Sequence, residues 1–187
     1  LPGKAIENVE LGRFVLLDRV PSNAETWTLA RCFELLRREG FVGIVSFSDP
    51  VPRARTDGTI VHAGHCGTIY SAHNGIYLGR GTARTLRLLP DGSVMSDRAI
   101  QKIRSGERGW QYAAALLERH GAARLIEGAD ARAWLADWMP RLTRPLKHPG
   151  NYKYAWTLQK RDRKHLPKSL AYPKFTLAPR DAAVLIT

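Results

Sequence analysis

Hydrophobic positions in the first fifty residues follow two different patterns. Residues 10–18, ELGRFVLLD, contain the unbroken apolar run Phe14, Val15, Leu16 and Leu17, which predicts a strand buried on both faces. Over residues 24–39 the spacing becomes helical: Trp27, Leu29, Ala30, Phe33, Leu35 and Leu36 alternate with Arg31, Arg37, Arg38 and Glu39. Ser22 or Asn23 can cap this amphipathic helix, and Gly40 can end it. FVGIVSFS, residues 41–48, then predicts a second buried strand before Pro50. Strand, loop, helix and strand in this order imply parallel strands joined by a right-handed crossover.

Beyond this unit the pattern is less regular. Residues 51–64 are rich in turn formers, GHCGTIYSAHNG predicts a short helix ending near Asn74 and Gly75, and IYLGRGTARTLRLL reads as one strand closed by the turn PDGS. Ser96 and Asp97 carry capping chemistry before a helix at 99–104, and further helices are predicted over 109–120 and 130–139, the last stopped by Pro140. YKYAWTL, after Pro149 and Gly150, alternates like a strand. A chain of 187 residues with 44% hydrophobic and 25% charged side chains fits a single globular domain, with no run long enough to span a bilayer. Cys32 and Cys66 make no disulfide framework and suggest reduced thiols in a cytoplasmic setting. The chain starts at Leu1 without a signal-peptide pattern, which suggests a processed form or a piece of a longer protein.

Charge changes the picture. The formal net charge is +12, and residues 141–180 hold eleven Lys or Arg against the single acid Asp162. The same stretch carries Tyr152, Tyr154, Trp156, Tyr172 and Phe175. Basic side chains neutralise phosphates and release counterions, while interleaved aromatics either stack on bases or anchor the segment in a core. Lys147, Lys153, Lys160, Arg161, Arg163 and Lys164 are the candidate contacts to double-stranded DNA.

Three other groups carry candidate chemistry. The loop entering the first helix, Pro21, Ser22, Asn23, Ala24, Glu25 and Thr26, leads to a helix N-terminus that suits a phosphate, although it has no P-loop or GxGxxG glycines. Asp49 stands at the carboxyl end of a predicted parallel strand, where open α/β sheets place ligands, and Tyr70 is a candidate general acid or a packed core tyrosine. Arg13, inside an apolar run, needs either an ion-pair partner or a substrate. His62, His65, Cys66 and His73 lie close in sequence, but their spacing matches no standard zinc pattern, and no metal ligand set is assigned.

NAETW, SFSDP, GHCGTIYSAHNGIYLGR, LLPDG and HPGNYKY, in this order, resemble the phage Mom family of DNA adenine-modification proteins over roughly residues 10–175. The resemblance implies an α/β, acetyltransferase-like (GNAT-type) mixed sheet flanked by helices, with a basic C-terminal extension. It implies a transferase that carbamoylmethylates the N6 amine of adenine in phage DNA, in the host cytoplasm, protecting that DNA from restriction. Acyl-CoA would bind at residues 21–26, Tyr70 would protonate the departing thiolate, Asp49 would accept the amine proton, and Arg13 would orient a carboxylate or carbonyl. The family's iron site involves an early His-Tyr pair that has no counterpart before Arg13. The early strands of the fold are missing as well, which suggests an N-terminal segment or a second chain that completes it. The alternatives are an ordinary acyl-CoA N-acetyltransferase and a catalytically silent DNA-binding domain, separated by the salt dependence of DNA binding and by coenzyme A binding.

Overall fold

The computed structural model describes residues 1–174 except Arg13, Val15, Asp18 and Ser22. Two of the candidates above, Arg13 and Ser22, therefore lie outside the described residues. The chain is mixed α/β and its described residues divide into two compact units, one built from Leu1–Pro50, Gly64–Thr82 and Pro149–Lys174, the other from Val51–Ala63 and Ala83–His148.

The first unit holds a four-stranded mixed sheet flanked by helices. Its strands are β1 (Asn8–Leu11), β2 (Gly43–Ser48), β8 (Tyr152–Thr157) and β5 (Ile76–Arg80), in that spatial order. β1 and β2 are parallel and are joined through α1 (Ala24–Arg38), as the pattern predicts, whereas β8 is antiparallel to both of its neighbours. α1 stops where Gly40 takes φ 88°, a left-handed conformation that suits glycine.

The strand expected over 10–18 falls earlier. β1 ends at Leu11, which pairs with Ser46, and Gly12, Phe14, Leu16 and Leu17 are outside any strand. Leu17 is 60% exposed. An apolar run marks a strand only where a neighbour offers backbone partners, and the parallel pairing stops at Ser46 although β2 continues to Ser48. The helix expected from residue 64 is also shorter: α2 spans Thr68–Ala72, because Gly64 and Gly67 both take positive φ.

Among its described residues the second unit contains two two-stranded ladders and a helical layer. β3 (Arg53–Ala54) and β4 (Ile60–His62) form a small antiparallel ladder in a stretch that sequence leaves irregular. β6 (Arg84–Leu88) pairs with β7 (Arg144–His148), so the single strand expected over 76–89 is two strands in different sheets, parted at Gly81. α3 (Asp97–Ser105), α4 (Trp110–Glu118) and α5 (Ala131–Leu142) enclose a core of Leu89, Met95, Ile103, Leu117, Leu135 and Met139. Ser96 Oγ accepts from the Ala99 N–H at 3.1 Å, the predicted cap. α5 runs through Pro140 instead of stopping there. A proline this late in a helix removes one bond to the carbonyl four residues earlier, and that residue, Ala136, is exposed to water. No helix of the described residues is long and apolar enough to cross a membrane.

Candidate functional site

One face of the sheet in the first unit is lined with hydroxyl groups. Alternation along β2 turns Ile44, Ser46 and Ser48 into the core, and β8 sets Trp156, Tyr154 and Tyr152 directly opposite them. Tyr77 of β5 pairs with Tyr154. Tyr70 of α2 closes the group, with ring centroids 5.3 Å from Tyr154 and 5.7 Å from Trp156. Gly67 makes this approach feasible, since a Cβ there would meet Tyr70 at 2.7 Å and Tyr154 at 2.8 Å.

Most of these hydroxyls are occupied. The Tyr154 hydroxyl donates to the Cys66 carbonyl, Ser46 Oγ donates to the Leu11 carbonyl at 2.8 Å, and Tyr152 Oη accepts from Arg80 Nη2 at 3.0 Å. Burial pushes the Tyr154 and Tyr77 phenols up, so both remain protonated donors at neutral pH. Two groups differ. Ser48 Oγ is fully buried without a hydrogen-bond partner among the described residues. The Tyr70 ring is buried, but its hydroxyl bonds to none of the described residues and is not among the sealed unpartnered atoms, so it keeps solvent contact.

Asp49 follows β2 directly and is half-buried. Its carbonyl accepts the His65 N–H at 2.8 Å, and the exposed His65 ring stands edge-on to Tyr70 with centroids 6.3 Å apart. Asp49, His65 and Tyr70 are thus linked neighbours at the carboxyl end of β2. Sequence reasoning named Asp49 and Tyr70 but gave His65 no catalytic part. It missed Ser48 and the Arg80–Tyr152 pair as well; the SFS and YKY alternations were the available signals for the inward serines and tyrosines.

The backbone donors at the start of α1 are engaged only in part by the described residues. The Ala24 N–H bonds the Pro21 carbonyl at 2.9 Å and the Trp27 N–H bonds the Asn23 carbonyl at 3.0 Å, while no bond among the described residues engages the N–H of Glu25 or Thr26. Asn23 occupies the cap position without a side-chain bond, and Thr26 Oγ1 turns back to the Asn23 carbonyl. Glu25 places a carboxylate in the same first turn.

The basic segment is split. Lys147 lies on β7 in the second unit; Lys153 is on β8 in the first, and Lys160, Arg161, Arg163 and Lys164 stand exposed on the 3-10 turn Lys160–His165. Tyr152, Tyr154 and Trp156 are each more than nine-tenths buried, so these aromatics anchor the segment and do not stack on bases. Tyr172 also anchors, through its hydroxyl on the Gly75 carbonyl at 2.9 Å. The candidate ligands do not assemble: His62 belongs to the second unit, and among the described residues no group of three or more His, Cys, Asp or Glu could hold a metal ion.

The model of the Mom protein family matches residues 3–174. The chain belongs to that family. Among curated proteins and among solved structures, nothing matches. Mom membership points to an enzyme that modifies phage DNA, and it gives the hydroxyl-lined sheet face a context. A tyrosine whose ring is locked by three aromatic neighbours while its hydroxyl stays open is positioned without being consumed by the fold.

Proposed function

We propose that this member of the Mom family is a DNA-modifying transferase that alters the N6 amine of adenine, leaving a carbamoylmethyl group that shields phage DNA from host restriction. The observation that carries the reading is the Asp49–His65–Tyr70 constellation beside a tyrosine-rich sheet, within a chain matched to the family nearly end to end. Adenine N6 lies inside the base stack, so the nucleotide has to leave the helix before reaction. Trp27, 61% exposed on α1, is an available ring for holding it, unlike the buried aromatics of β8.

The amine is a weak nucleophile because its lone pair is delocalised into the purine ring. With a donor that carries its leaving group on the methylene carbon of a carbamoylmethyl unit, N6 forms the N–CH2 bond as the bond to the leaving group breaks; Asp49 accepts the amine proton and Tyr70 supplies a proton to the leaving group. The buried phenols of Tyr77 and Tyr154, held protonated, keep this face neutral and donor-rich. The fold supports kinship with acyl-CoA-dependent acetyltransferases through its mixed sheet and through the parting of the chain from β2 after Leu11.

A coenzyme A pyrophosphate at the start of α1 is supported by the exposure of Pro21 and Asn23 and by the N–H groups of Glu25 and Thr26, which no bond among the described residues engages. When bound, that group would supply an activated thioester, which N6 would convert to an N6-acyl adenine with release of the thiol; the carbamoylmethyl product needs its leaving group on the methylene carbon instead. The described residues do not fit an iron site, and no step here is routed through iron.

Nucleoside mass spectrometry of DNA from cells producing the protein tests the reading. N6-carbamoylmethyl deoxyadenosine is the expected product; an N6-acyl nucleoside would favour simple acyl transfer to DNA, and unmodified adenine with the folded protein present would overturn the enzymatic reading.

A further inference from the structure

The second unit carries a charged groove that the reading above does not use. It lies between α3 and α5, has a volume of about 610 Å³, and has a floor that includes Ile100, Leu135 and Met139. Three arginines line it from three elements: Arg87 from β6, Arg104 from α3 and Arg132 from α5. All three are exposed, and no carboxylate lines the groove.

Several other arginines of this unit are already engaged. Arg98 is bound to Glu107 at 2.6 Å, Arg141 to Asp137 at 2.5 Å, and Arg144 donates to the Ala54 carbonyl at 2.6 Å. The side chains of Arg87, Arg104 and Arg132 have no hydrogen bond or ion pair among the described residues. Gathering like charges around one depression without counter-charges builds a positive potential, and guanidinium forks match phosphate geometry. These arginines lie in the first 140 residues, where the net charge is small, so the feature comes from arrangement and not from local composition.

We propose that this groove binds the phosphodiester backbone of DNA, with the three guanidiniums on phosphates and the apolar floor against sugar faces. A groove open to solvent suits a continuous polyanion better than a small phosphate ester, which gains most from enclosure. The inference rests on the reading of this chain as a DNA-modifying enzyme and adds a second contact surface to the basic turn Lys160–His165.

The test is fluorescence anisotropy of the full chain on duplex DNA over a range of salt. The groove triple Arg87→Ala/Arg104→Ala/Arg132→Ala is compared with Arg98→Ala/Arg119→Ala/Arg141→Ala, which removes the same charge from side chains already engaged. The groove triple should weaken binding at least about tenfold near physiological salt and lower the slope of log K against log salt by about two to three, since each neutralised phosphate contributes about 0.9. The matched triple should stay within about threefold of the parent. Equal losses in both triples, or none in the groove triple, overturn the groove. A folded parent that binds no duplex at all instead overturns the DNA reading on which it rests. Arg104→Glu against Arg141→Glu repeats the comparison with single changes: a greater loss in the former supports the groove, and equal losses sink it.

Discussion

The backbone N–H of His65 donates to the carbonyl of Asp49 at 2.8 Å, fixing the strand that ends β2 to the loop that opens α2. Through this bond two residues sixteen positions apart become neighbours, and the His65 ring reaches the edge of Tyr70. If Asp49 and Tyr70 exchange protons with substrate, Asp49→Asn and Tyr70→Phe should each lower the rate of adenine modification by about a hundredfold or more. Melting temperature measured on the same samples should hardly move for Tyr70→Phe, because that hydroxyl bonds to none of the described residues. Full activity in both variants would remove the pair from the chemistry.

The exposed turn Lys160–His165 offers a separate electrostatic test. Replacing Lys160, Arg161, Arg163 and Lys164 with alanine should flatten the salt dependence of duplex binding by up to about one phosphate equivalent per residue in contact. An unchanged affinity at low salt would clear this turn of DNA contact.

At the start of α1 the sign of the effect is informative. Glu25 sets a negative charge where a pyrophosphate would sit. Glu25→Gln should therefore tighten coenzyme A about two- to fivefold at low salt, corresponding to about 0.3–1 kcal/mol for a charge near a helix terminus. Titration calorimetry decides it, and absence of coenzyme A heat from parent and variant alike would move the cofactor elsewhere.

Tyr154 joins the sheet to the loop before α2. It is 1% exposed, and its hydroxyl serves the Cys66 carbonyl. Tyr154→Phe should cost about 1–3 kcal/mol, the usual penalty for leaving a buried polar group unpaired. Chemical denaturation reads this directly, as a lower midpoint at unchanged slope.

Acid should loosen the first unit through His73. Burial holds its imidazole below the ordinary value, with the ring packed edge-on to Phe33 at 4.9 Å. A depressed pKa in the folded state means that this contribution is fully present above the unfolded value near about 6.5 and is lost as pH falls through the folded one. His73→Leu should make the melting temperature less sensitive to pH in that window, whereas an unaltered profile would assign the acid response to other groups.

The elements legible in the sequence were those whose pattern agreed with their surroundings. α1 and the strand-helix-strand crossover followed from spacing and from Gly40, and β8 from the alternation in YKYAW. Phe14, Leu16 and Leu17 misled because apolar continuity says nothing about whether a neighbouring strand is present to pair. Pro140 misled for the opposite reason, since a last-turn proline costs one bond that water at Ala136 replaces. Asp49 and Tyr70 could be named from their places in chain order, but the groups around them could not. Arg80 meets Tyr152 across 72 residues and Tyr154 meets Cys66 across 88, and no local window holds such pairs.

β8 is among the last elements of the chain, yet it lies inside its sheet, between β2 and β5. During synthesis β2 leaves the ribosome long before its partner, which begins only at Tyr152, while Val51–Ala63 and Ala83–His148 are already complete. The order of folding is therefore imposed by translation: the second unit can close first, and the first must wait with two strand edges unpaired. Long-range pairing of this kind folds slowly and leaves edges open to wrong partners. A nascent chain interrupted between Ala72 and Tyr152 would keep both α-helices of the first unit and lose the strand that joins its halves.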